Sequence, residues 1–371
     1  MRRNLVRMNR RIEDRRSSSN LRYYPAQFGM PSVTRSALVL AGLALLAFSP
    51  PVSAHEKWFY DASLYPARWE ALLRPAALLA IGVAVALTGL AWILWRARVG
   101  RDLIPGPEAL GAEEAGRVRF YALVPLILGV HLGPPLIILG VTGTLFSPNN
   151  ALTGGSLHWV GLAEIGLSLC FIYGGLTRVA GIGLGLVWLF GVPLVGVEAM
   201  MENLHYLGFA GFFFLAGRGP YAVDRLLFPR LAPSPRLSRL ALPTLRVGVG
   251  LSLAAVAFSE KLANPDLARA FLREYPLNFT PAIGIPLSDD VFILCAAATE
   301  LLIGLFLVFG IFPRAIIATA WFFINITLTV FLWTELLGHL PLYGAMGVLL
   351  VWTPKEEDQR LWARGVLGSS S

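Results

Sequence analysis

The sequence predicts an all-α integral membrane protein with about nine transmembrane helices. Of its 371 residues, 56% are hydrophobic and only 15% are charged, and the mean hydropathy is +0.63. A soluble domain of this size could not bury so much apolar surface. Apolar stretches also recur at about the 20-residue length that crosses the hydrocarbon of a bilayer. The lipid bilayer is therefore the first partner that the sequence predicts.

The formal charge of +8 does not indicate a nucleic-acid partner. Residues 1–54 hold nine Arg and two acidic residues, so most of the excess lies there and the remainder of the chain is nearly neutral. An Arg excess of this kind is typical of targeting and topology signals. Both cysteines, Cys170 and Cys295, lie inside apolar runs and are expected to be core residues.

Residues 1–54 are predicted to form an N-terminal extension and a cleaved signal peptide. The apolar run 37–48 is too short to span a bilayer but suits a signal peptide. Pro50 and Pro51 then break the helix, and Ala54 is the small residue at which cleavage is expected. Cleavage there makes His55 the mature N-terminus. An uncleaved, short first helix is the alternative.

Nine spans are predicted after this segment. Their ranges are about 71–95, 121–145, 158–176, 179–198, 202–217, 246–262, 291–311, 314–333 and 338–353. With this arrangement, sixteen Arg and Lys residues fall in segments assigned to the cytoplasm and six in segments assigned to the periplasm. This bias predicts a multi-pass protein of the bacterial inner membrane, with a periplasmic mature N-terminus and a cytoplasmic C-terminus.

An internal repeat organises these spans. One constant offset along the chain places Glu164 on Glu300 and Arg178 on Arg314, and it also aligns three glycine pairs. The predicted architecture is one leading span plus two parallel-repeated four-helix units. The corresponding segments are 1–54, 55–118 with the first span, 119–217 as the first unit, 218–245 as an Arg- and Pro-rich linker, 246–354 as the second unit and 355–371 as a tail.

The second unit resembles the DoxX-like membrane protein family. The resemblance rests on "LRVGVGLSLAAVAFSEKLANPD", "ATELLIGLFLVFGIFPR" and "TELLGHLPLYG". The first unit is similar through "LAEIGLSLCFIYGGLTR" and "ENLHYLG", but it reads "GVTGT" where Lys261 would recur. The resemblance implies two tandem four-helix membrane units, of a kind found in or near respiratory and sulfur-oxidising complexes, including thiosulfate:quinone oxidoreductase subunits.

Glu164 and Glu300 are the candidate catalytic residues. A charged side chain at the centre of a bilayer costs about 2.5–3.5 kcal/mol on insertion scales, so each carboxyl needs a reason to be there. One reason is a proton or quinone head-group contact within the bundle. The other is a hydrogen bond between helices that fixes their packing.

A metal site is predicted at the periplasmic ends of the spans. Glu202 and His205 are three residues apart and Glu335 and His339 are four apart, so each pair is expected to share a helical face. Carboxylate and imidazole at this spacing hold metal ions in helical bundles. His55 would add an α-amine and an imidazole, which suits copper or iron. The alternative is that these are polar residues at the membrane interface. Glu260 and Lys261 are likewise expected to form an ion pair at the membrane surface.

These observations together predict a redox-linked membrane subunit. It would pass reducing equivalents between a periplasmic redox partner and the quinone pool, together with other membrane subunits, and whether it is itself an enzyme is left open. No GxGxxG, Walker loop, CxxC or CxxCH motif occurs in the sequence. A transporter or metal-uptake protein and a non-catalytic scaffold or assembly factor remain as alternatives.

Overall fold

Every regular element in the described part of this chain is a helix. The structure is a computed structural model that describes residues 55–230, 234–352 and 356–367, so the predicted signal peptide lies outside the described residues. The α-helices are α1 Pro75–Ala97, α2 Glu114–Thr142, α3 Gly155–Tyr173, α4 Thr177–Val195, α5 Val197–Glu202, α6 Leu204–Ala216, α7 Val223–Leu227, α8 Pro235–Ser238, α9 Ala241–Val256, α10 Pro265–Glu274, α11 Asp289–Phe309, α12 Pro313–Val351 and α13 Glu356–Leu367.

Seven helical segments are long and apolar enough to cross a membrane. They are α1, α2, α3, α4, the segment Pro235–Leu262 that contains α9, α11 and α12. Large apolar side chains on these helices point outward, and Leu79, Ile93 and Phe190 are each about two-thirds exposed. Such an apolar exterior fits the hydrocarbon of a bilayer. The predicted all-α, multi-pass membrane class is therefore confirmed.

Helix α12 contains two of the predicted spans. A straight helix of its 39 residues would be about 58 Å long, nearly twice the thickness of the hydrocarbon core. The chain reverses at Leu332, where φ is 54° and ψ is −124°. The guanidinium Nε of Arg314 donates a 3.0 Å hydrogen bond to the carbonyl of Leu350, so the two ends of α12 meet. The two halves consequently pack as an antiparallel pair.

The two halves that the repeat aligns, residue for residue at an offset of 136, have the same backbone geometry at equivalent positions as well as the same residue types. Gly174 and Gly310 both end a helix in the left-handed conformation, with φ of 66° and 68°. The hydrogen bond from Arg314 to Leu350 has its counterpart at the equivalent residues of the first half, where Nε of Arg178 donates to the carbonyl of Phe214 at 2.9 Å. The same helix-pairing bond therefore recurs at equivalent places in both halves.

Two aspartates cap the N-termini of α4 and α12, which are equivalent helices in the two halves. The Asp224 carboxylate accepts from the amide of Thr177 at 2.9 Å, and the Asp102 carboxylate accepts from the amide of Arg314 at 2.8 Å. The first amides of a helix have no partner within the helix, and a capping carboxylate is worth about 1 kcal/mol. Asp224 of the short helix α7 and Asp102 of the loop after α1 thus fix the starts of α4 and α12.

Helices α9 and α11 pack closely against each other, and this packing determines where Glu300 lies. A Cβ atom added to Gly250 would lie 2.6 Å from the carbonyl oxygen of Gly304, and one added to Gly304 would meet the carbonyl of Gly250 at the same distance. The two backbones can approach this closely only because both residues lack a side chain. This contact brings Glu300 on α11 next to the end of α9.

Candidate functional site

The first described residues of the chain insert into one end of the helical bundle. Glu56–Trp58 form a single 3₁₀ turn, and the Glu56 and Lys57 side chains are buried although both are ionisable. Trp58 stacks on His55 at 4.2 Å and donates a hydrogen bond from Nε1 to Oγ of Ser147 at 2.7 Å. We call this end of the bundle, where His55, Glu202 and Leu332 lie, the His55 end.

A π-helical turn at the end of α9 supplies three further polar side chains. The turn spans Ala257–Leu262, and the amide of Ala263 donates to the carbonyl of Phe258 five residues earlier. Single π-turns inside helices are frequent at functional sites. Three consecutive residues here, Ser259, Glu260 and Lys261, are buried. Each of them contacts a different neighbour within the bundle.

Lys57 and Ser259 both bind the Glu202 carboxylate. Lys57 Nζ donates to Glu202 Oε1 and also to Glu198 Oε1 at 2.8 Å. The Ser259 hydroxyl donates to Glu202 Oε1 at 2.5 Å. The ammonium group of the N-terminal segment is therefore tied to the end of α5.

Lys261 joins the N-terminal segment to the centre of α11. Its Nζ lies 3.0 Å from Oε1 of Glu300 and 3.7 Å from Oε1 of Glu56. Glu300 is the twelfth of the 21 residues of α11, so this ion pair lies near the middle of a predicted span. The amide of Glu56 in turn donates to Oε2 of Glu260 at 2.6 Å. These contacts form a line of buried polar groups from Glu300 to the His55 end, in which Lys261 contributes ion pairs rather than hydrogen bonds.

Three histidines line the same end. His55 Nδ1 lies 3.3 Å from Oε1 of Glu260, and His339 Nδ1 lies 3.3 Å from Oε1 of Glu335. The rings of His55 and His339 are 5.5 Å apart between centroids. His205 Nδ1 lies 2.9 Å from the Ser252 hydroxyl, and its Nε2 is buried without a hydrogen-bond partner.

Carboxyl groups outnumber ammonium groups in this cluster. It contains five buried carboxyl groups, those of Glu56, Glu202, Glu260, Glu300 and Glu335, and two buried ammonium groups, those of Lys57 and Lys261. Unbalanced charge in an interior of low dielectric is costly, so protons or another cation must compensate for it.

The pKa values of the N-terminal segment reflect this balance. Burial raises the pKa of the Glu56 carboxyl to about 8, although the Lys261 ammonium acts in the opposite direction, so Glu56 keeps its proton at neutral pH. Burial alone would lower the pKa of His55, but the hydrogen bond to Glu260 and its charge raise it above its ordinary value. For Lys57, burial is likewise outweighed by the Glu202 carboxylate, and its pKa is raised.

Two expectations about charge pairs are wrong. Glu202 and His205 do not share a helical face, because the chain breaks at Asn203 between α5 and α6 and the two side chains take different partners. Glu260 and Lys261 are not an interfacial ion pair. Both are buried, and their contacts are to His55, Glu56 and Glu300. Neighbouring residues on a helix point in different directions, which explains this separation.

Glu164 lies apart from the cluster. Its Oε1 accepts a 3.1 Å hydrogen bond from the amide of Phe146, a residue with φ of 60° in the loop after α2. The first unit has no lysine where Lys261 stands in the second, so the two repeated carboxyls have different partners. The contact of Glu164 suits the packing interpretation, whereas Glu300 belongs to the cluster.

All five predicted metal ligands lie at the His55 end, but they do not converge on one point. They are His55, His205, Glu335, His339 and Glu202, and Glu202 is occupied by Lys57 and Ser259. Within the described ranges, no three side chains of His, Cys, Asp or Glu stand close enough together to share one metal ion. The metal assignment therefore stays a prediction.

Two cavities bear on the site. The larger, of about 380 Å³, lies at the opposite end, where Asp102 caps α12 and Arg314 holds the Leu350 carbonyl. Asp102 and Arg314 in its wall thus stabilise the two ends of α12. A cavity of only about 10 Å³ lies beside Glu300, and its other lining residues are apolar: Leu253, Ile303, Ala320 and Ile324.

Sequence reasoning missed Glu56, Lys57 and the partners of Lys261. The contacts of Glu56 and Lys57 join residues about 140 to 205 positions apart, and Lys261 is 39 positions from Glu300, so no local sequence pattern predicts them. One signal was available: Glu260 and Lys261 are adjacent at the end of an apolar span and cannot face each other on a helix. Each therefore had to find a partner on another element.

Comparison of the chain with protein-family models, with curated proteins and with solved structures found no match.

Proposed function

We propose that this chain is a DoxX-like protein of the bacterial inner membrane that acts as a redox-linked subunit. It passes reducing equivalents between a periplasmic donor and the quinone pool. In this proposal the His55 end is periplasmic, and α6 and both halves of α12 each cross the bilayer, which gives nine crossings. One leading span and two four-helix units then account for the architecture.

The observation that carries the proposal is the position of Glu300. Its Oε2 is buried without a hydrogen-bond partner in the described part of the chain, and it borders the small apolar cavity. The cavity of about 10 Å³ has room for about one water molecule, so a quinone head group enters beside Glu300 only when the apolar side chains around it move apart. A buried acceptor without a partner is expensive to retain, so a ligand that donates a hydrogen bond would relieve that cost.

The polar chain that leads away from Glu300 supports quinone chemistry in particular. Reduction of a quinone consumes protons as well as electrons, so a site in the membrane core needs an acid–base group connected to an aqueous phase. Glu300 is linked through Lys261 and Glu56 to Glu260, and from there to His55, whose side chain is 12% exposed. In this proposal, protons move between Glu300 and the periplasmic side when the Lys261 and Glu56 side chains close the 3.7 Å gap between them.

The transporter alternative has less support. It requires polar side chains beyond Glu300, towards the cytoplasmic end, and the cavity wall there is formed by Leu253, Ile303, Ala320 and Ile324. The scaffold alternative requires only the fold, and it predicts that Glu300 can be replaced without any effect on quinone binding.

Quinone binding by the purified chain tests the proposal. Decylubiquinone would be titrated into full-length protein in lipid nanodiscs, with tryptophan fluorescence as the readout. We expect saturable binding that weakens at least about tenfold in Glu300→Gln, because a hydrogen bond to a charged group is worth about 1.5–3 kcal/mol. Glu164→Gln is the matched control and is expected to bind normally. Absence of saturable binding, or equal losses in the two variants, would contradict the proposal.

A further inference from the structure

The cavity of about 380 Å³ at the end of the bundle opposite the His55 end has no part in the proposed function. It is enclosed by the last turn of α1, by the loop that follows α1 and by the first residues of α12. Its volume lies within the range of about 300–1,000 Å³ that is typical of small-molecule sites. The space is therefore sufficient for a ligand.

Trp95, in the last turn of α1, lines this cavity and has a polar group without a partner. Its Nε1 is buried and makes no hydrogen bond within the described residues. An indole N–H can only donate, and a buried donor without an acceptor is costly to retain. A ligand that brings a hydrogen-bond acceptor into the cavity would relieve this cost.

A sharp turn after α1 brings Arg101 into the same wall as Trp95. The φ angles of Val99 and Gly100 are 54° and 67°, and the amide of Gly100 donates to the carbonyl of Trp95 at 2.9 Å. A Cβ atom added to Gly100 would lie 3.3 Å from Cζ2 of Trp95, so the turn packs against the indole ring. Arg101 follows directly and lines the cavity.

Arg101 is the charged group of the wall that the fold itself does not use. Its guanidinium makes no hydrogen bond or ion pair with the part of the chain that the structure describes. The Asp102 carboxylate, by contrast, accepts from the amide of Arg314 at the start of α12. Glu108 and Arg314 lie next to each other, since a Cβ atom added to Gly106 would contact both side chains. Arg101 thus remains to bind an anion.

Further positive charge lies where α1 ends. Arg96, Arg98 and Arg101 follow one another closely in the sequence. Arg96 lies over the ring of Trp92 at 5.0 Å from its centroid, whereas Nε of Arg98 is buried without a hydrogen-bond partner among the described residues. Their charges favour a negatively charged ligand in the neighbouring cavity.

The surroundings of the cavity are apolar on the outside. Val99, Leu103 and Ile104 are exposed on the loop, and Ile93 and Leu94 are exposed on the last turns of α1. Exposed apolar side chains at the end of a membrane-spanning helix fit the boundary between lipid head groups and hydrocarbon. A ligand with hydrocarbon chains beside its charged group matches this surface better than a soluble anion does.

We propose that this cavity binds the phosphate head group of an anionic phospholipid. Arg101 pairs with the phosphate, and Trp95 donates its indole N–H to a phosphate oxygen. The acyl chains lie along the exposed apolar face of α1. Basic pockets near the membrane surface bind anionic head groups in this way. The site does not rest on the proposed function, because none of its residues takes part in quinone binding.

Native mass spectrometry tests the site on full-length protein that is delipidated in dodecylmaltoside and titrated with phosphatidylglycerol. We expect one lipid to bind more tightly than all others. Its affinity should fall about fivefold in Arg101→Gln, since a basic residue near an anionic lipid surface is worth about 1 kcal/mol. Arg225→Gln is the matched control, because Arg225 is exposed on α7 and lies outside the cavity wall, and it should bind normally. Equal losses in the two variants, or the absence of a preferred lipid, would overturn the site.

Trp95→Phe tests the indole N–H separately, because it keeps an aromatic ring and removes the donor. We expect the affinity for phosphatidylglycerol to fall about fivefold, as for the loss of one hydrogen bond. Trp92→Phe on the same helix is the control and should bind normally, since Trp92 does not line the cavity. An unchanged affinity in Trp95→Phe would overturn this placement of the head group.

Two further ligands distinguish an anionic lipid from other phosphate esters. Phosphatidylcholine carries no net charge and is expected to bind at least about fivefold more weakly. Glycerol phosphate has the phosphate without acyl chains, and we expect that it does not displace phosphatidylglycerol at equal concentration. Equal binding of phosphatidylcholine would overturn the preference for an anionic lipid, and displacement by glycerol phosphate would overturn the assignment to a lipid.

Discussion

Lys261→Met is expected to lower the free energy of unfolding by about 3–5 kcal/mol, the cost of removing one partner from a buried ion pair. The Lys261 ammonium lies between Glu300 and Glu56, and all three side chains are at most 3% exposed. The substitution leaves the Glu300 carboxyl with no cation near the centre of a span. The midpoint of unfolding in mixed dodecylmaltoside and SDS micelles measures the loss.

A double substitution and an exposed pair serve as controls for Lys261. Lys261→Met combined with Glu300→Gln removes both charges and is expected to recover most of the lost stability. Arg269→Met breaks two exposed pairs, with Asp266 and Asp290, in which every side chain is at least 38% exposed, so it should cost at most about 1 kcal/mol for each pair. A loss at Lys261 no larger than that at Arg269 would show that the pair is not buried as described.

Lys57→Met is the second substitution with a large expected effect. Lys57 is the residue of the N-terminal segment that pairs with Glu202, and both side chains are at least nine-tenths buried. Its removal should again cost about 3–5 kcal/mol, and it should release residues 55–60 from the bundle. Hydrogen–deuterium exchange of peptides from this segment measures the release directly.

Glu198→Gln is the control for Lys57. Glu198 contacts the same ammonium at 2.8 Å, but its side chain is 32% exposed, so its loss is expected to change exchange little. The account of the inserted segment would be wrong if exchange over residues 55–60 stayed at the wild-type level in Lys57→Met.

The spans could be predicted because their signal is local. Apolar runs of about 20 residues place α1, α3, α4 and α11 within a few residues of the helices in the structure. The repeated Gly and Arg residues likewise predict equivalent helix ends, and Arg178 and Arg314 make equivalent hydrogen bonds. The caps from Asp102 and Asp224 could not be predicted, since these residues lie 212 and 47 positions away from the amides that they bind.

The candidate site could be predicted only where both partners lie on one helix. Glu335 and His339, four residues apart, do face each other as their spacing predicts. Glu202 and His205 fail the same argument, because the backbone leaves the helix at Asn203. The offset that aligns the two halves places Glu202 on Gly338 and His205 on Pro341, so the two Glu/His pairs are not equivalent by the repeat either.

The insertion of the N-terminal turn is the feature that no spacing could reveal. A segment with three ionisable residues in succession, His55, Glu56 and Lys57, looks like a solvated surface turn in the sequence. It is buried because charges on α5, α9 and α11 compensate for its own. None of these charges has a compensating partner on its own helix. Their contacts with the N-terminal segment therefore hold this segment inside the bundle.

Photolabelling with an azidoquinone tests most directly the central claim that quinone meets the chain at Glu300. The full-length protein would be illuminated with the azidoquinone in nanodiscs, digested and analysed by mass spectrometry. The account predicts that the label appears on peptides containing Leu253, Ile303 or Ile324, which line the cavity beside Glu300, and that unlabelled quinone suppresses it. Label confined to other helices, or label that unlabelled quinone does not suppress, would contradict the account.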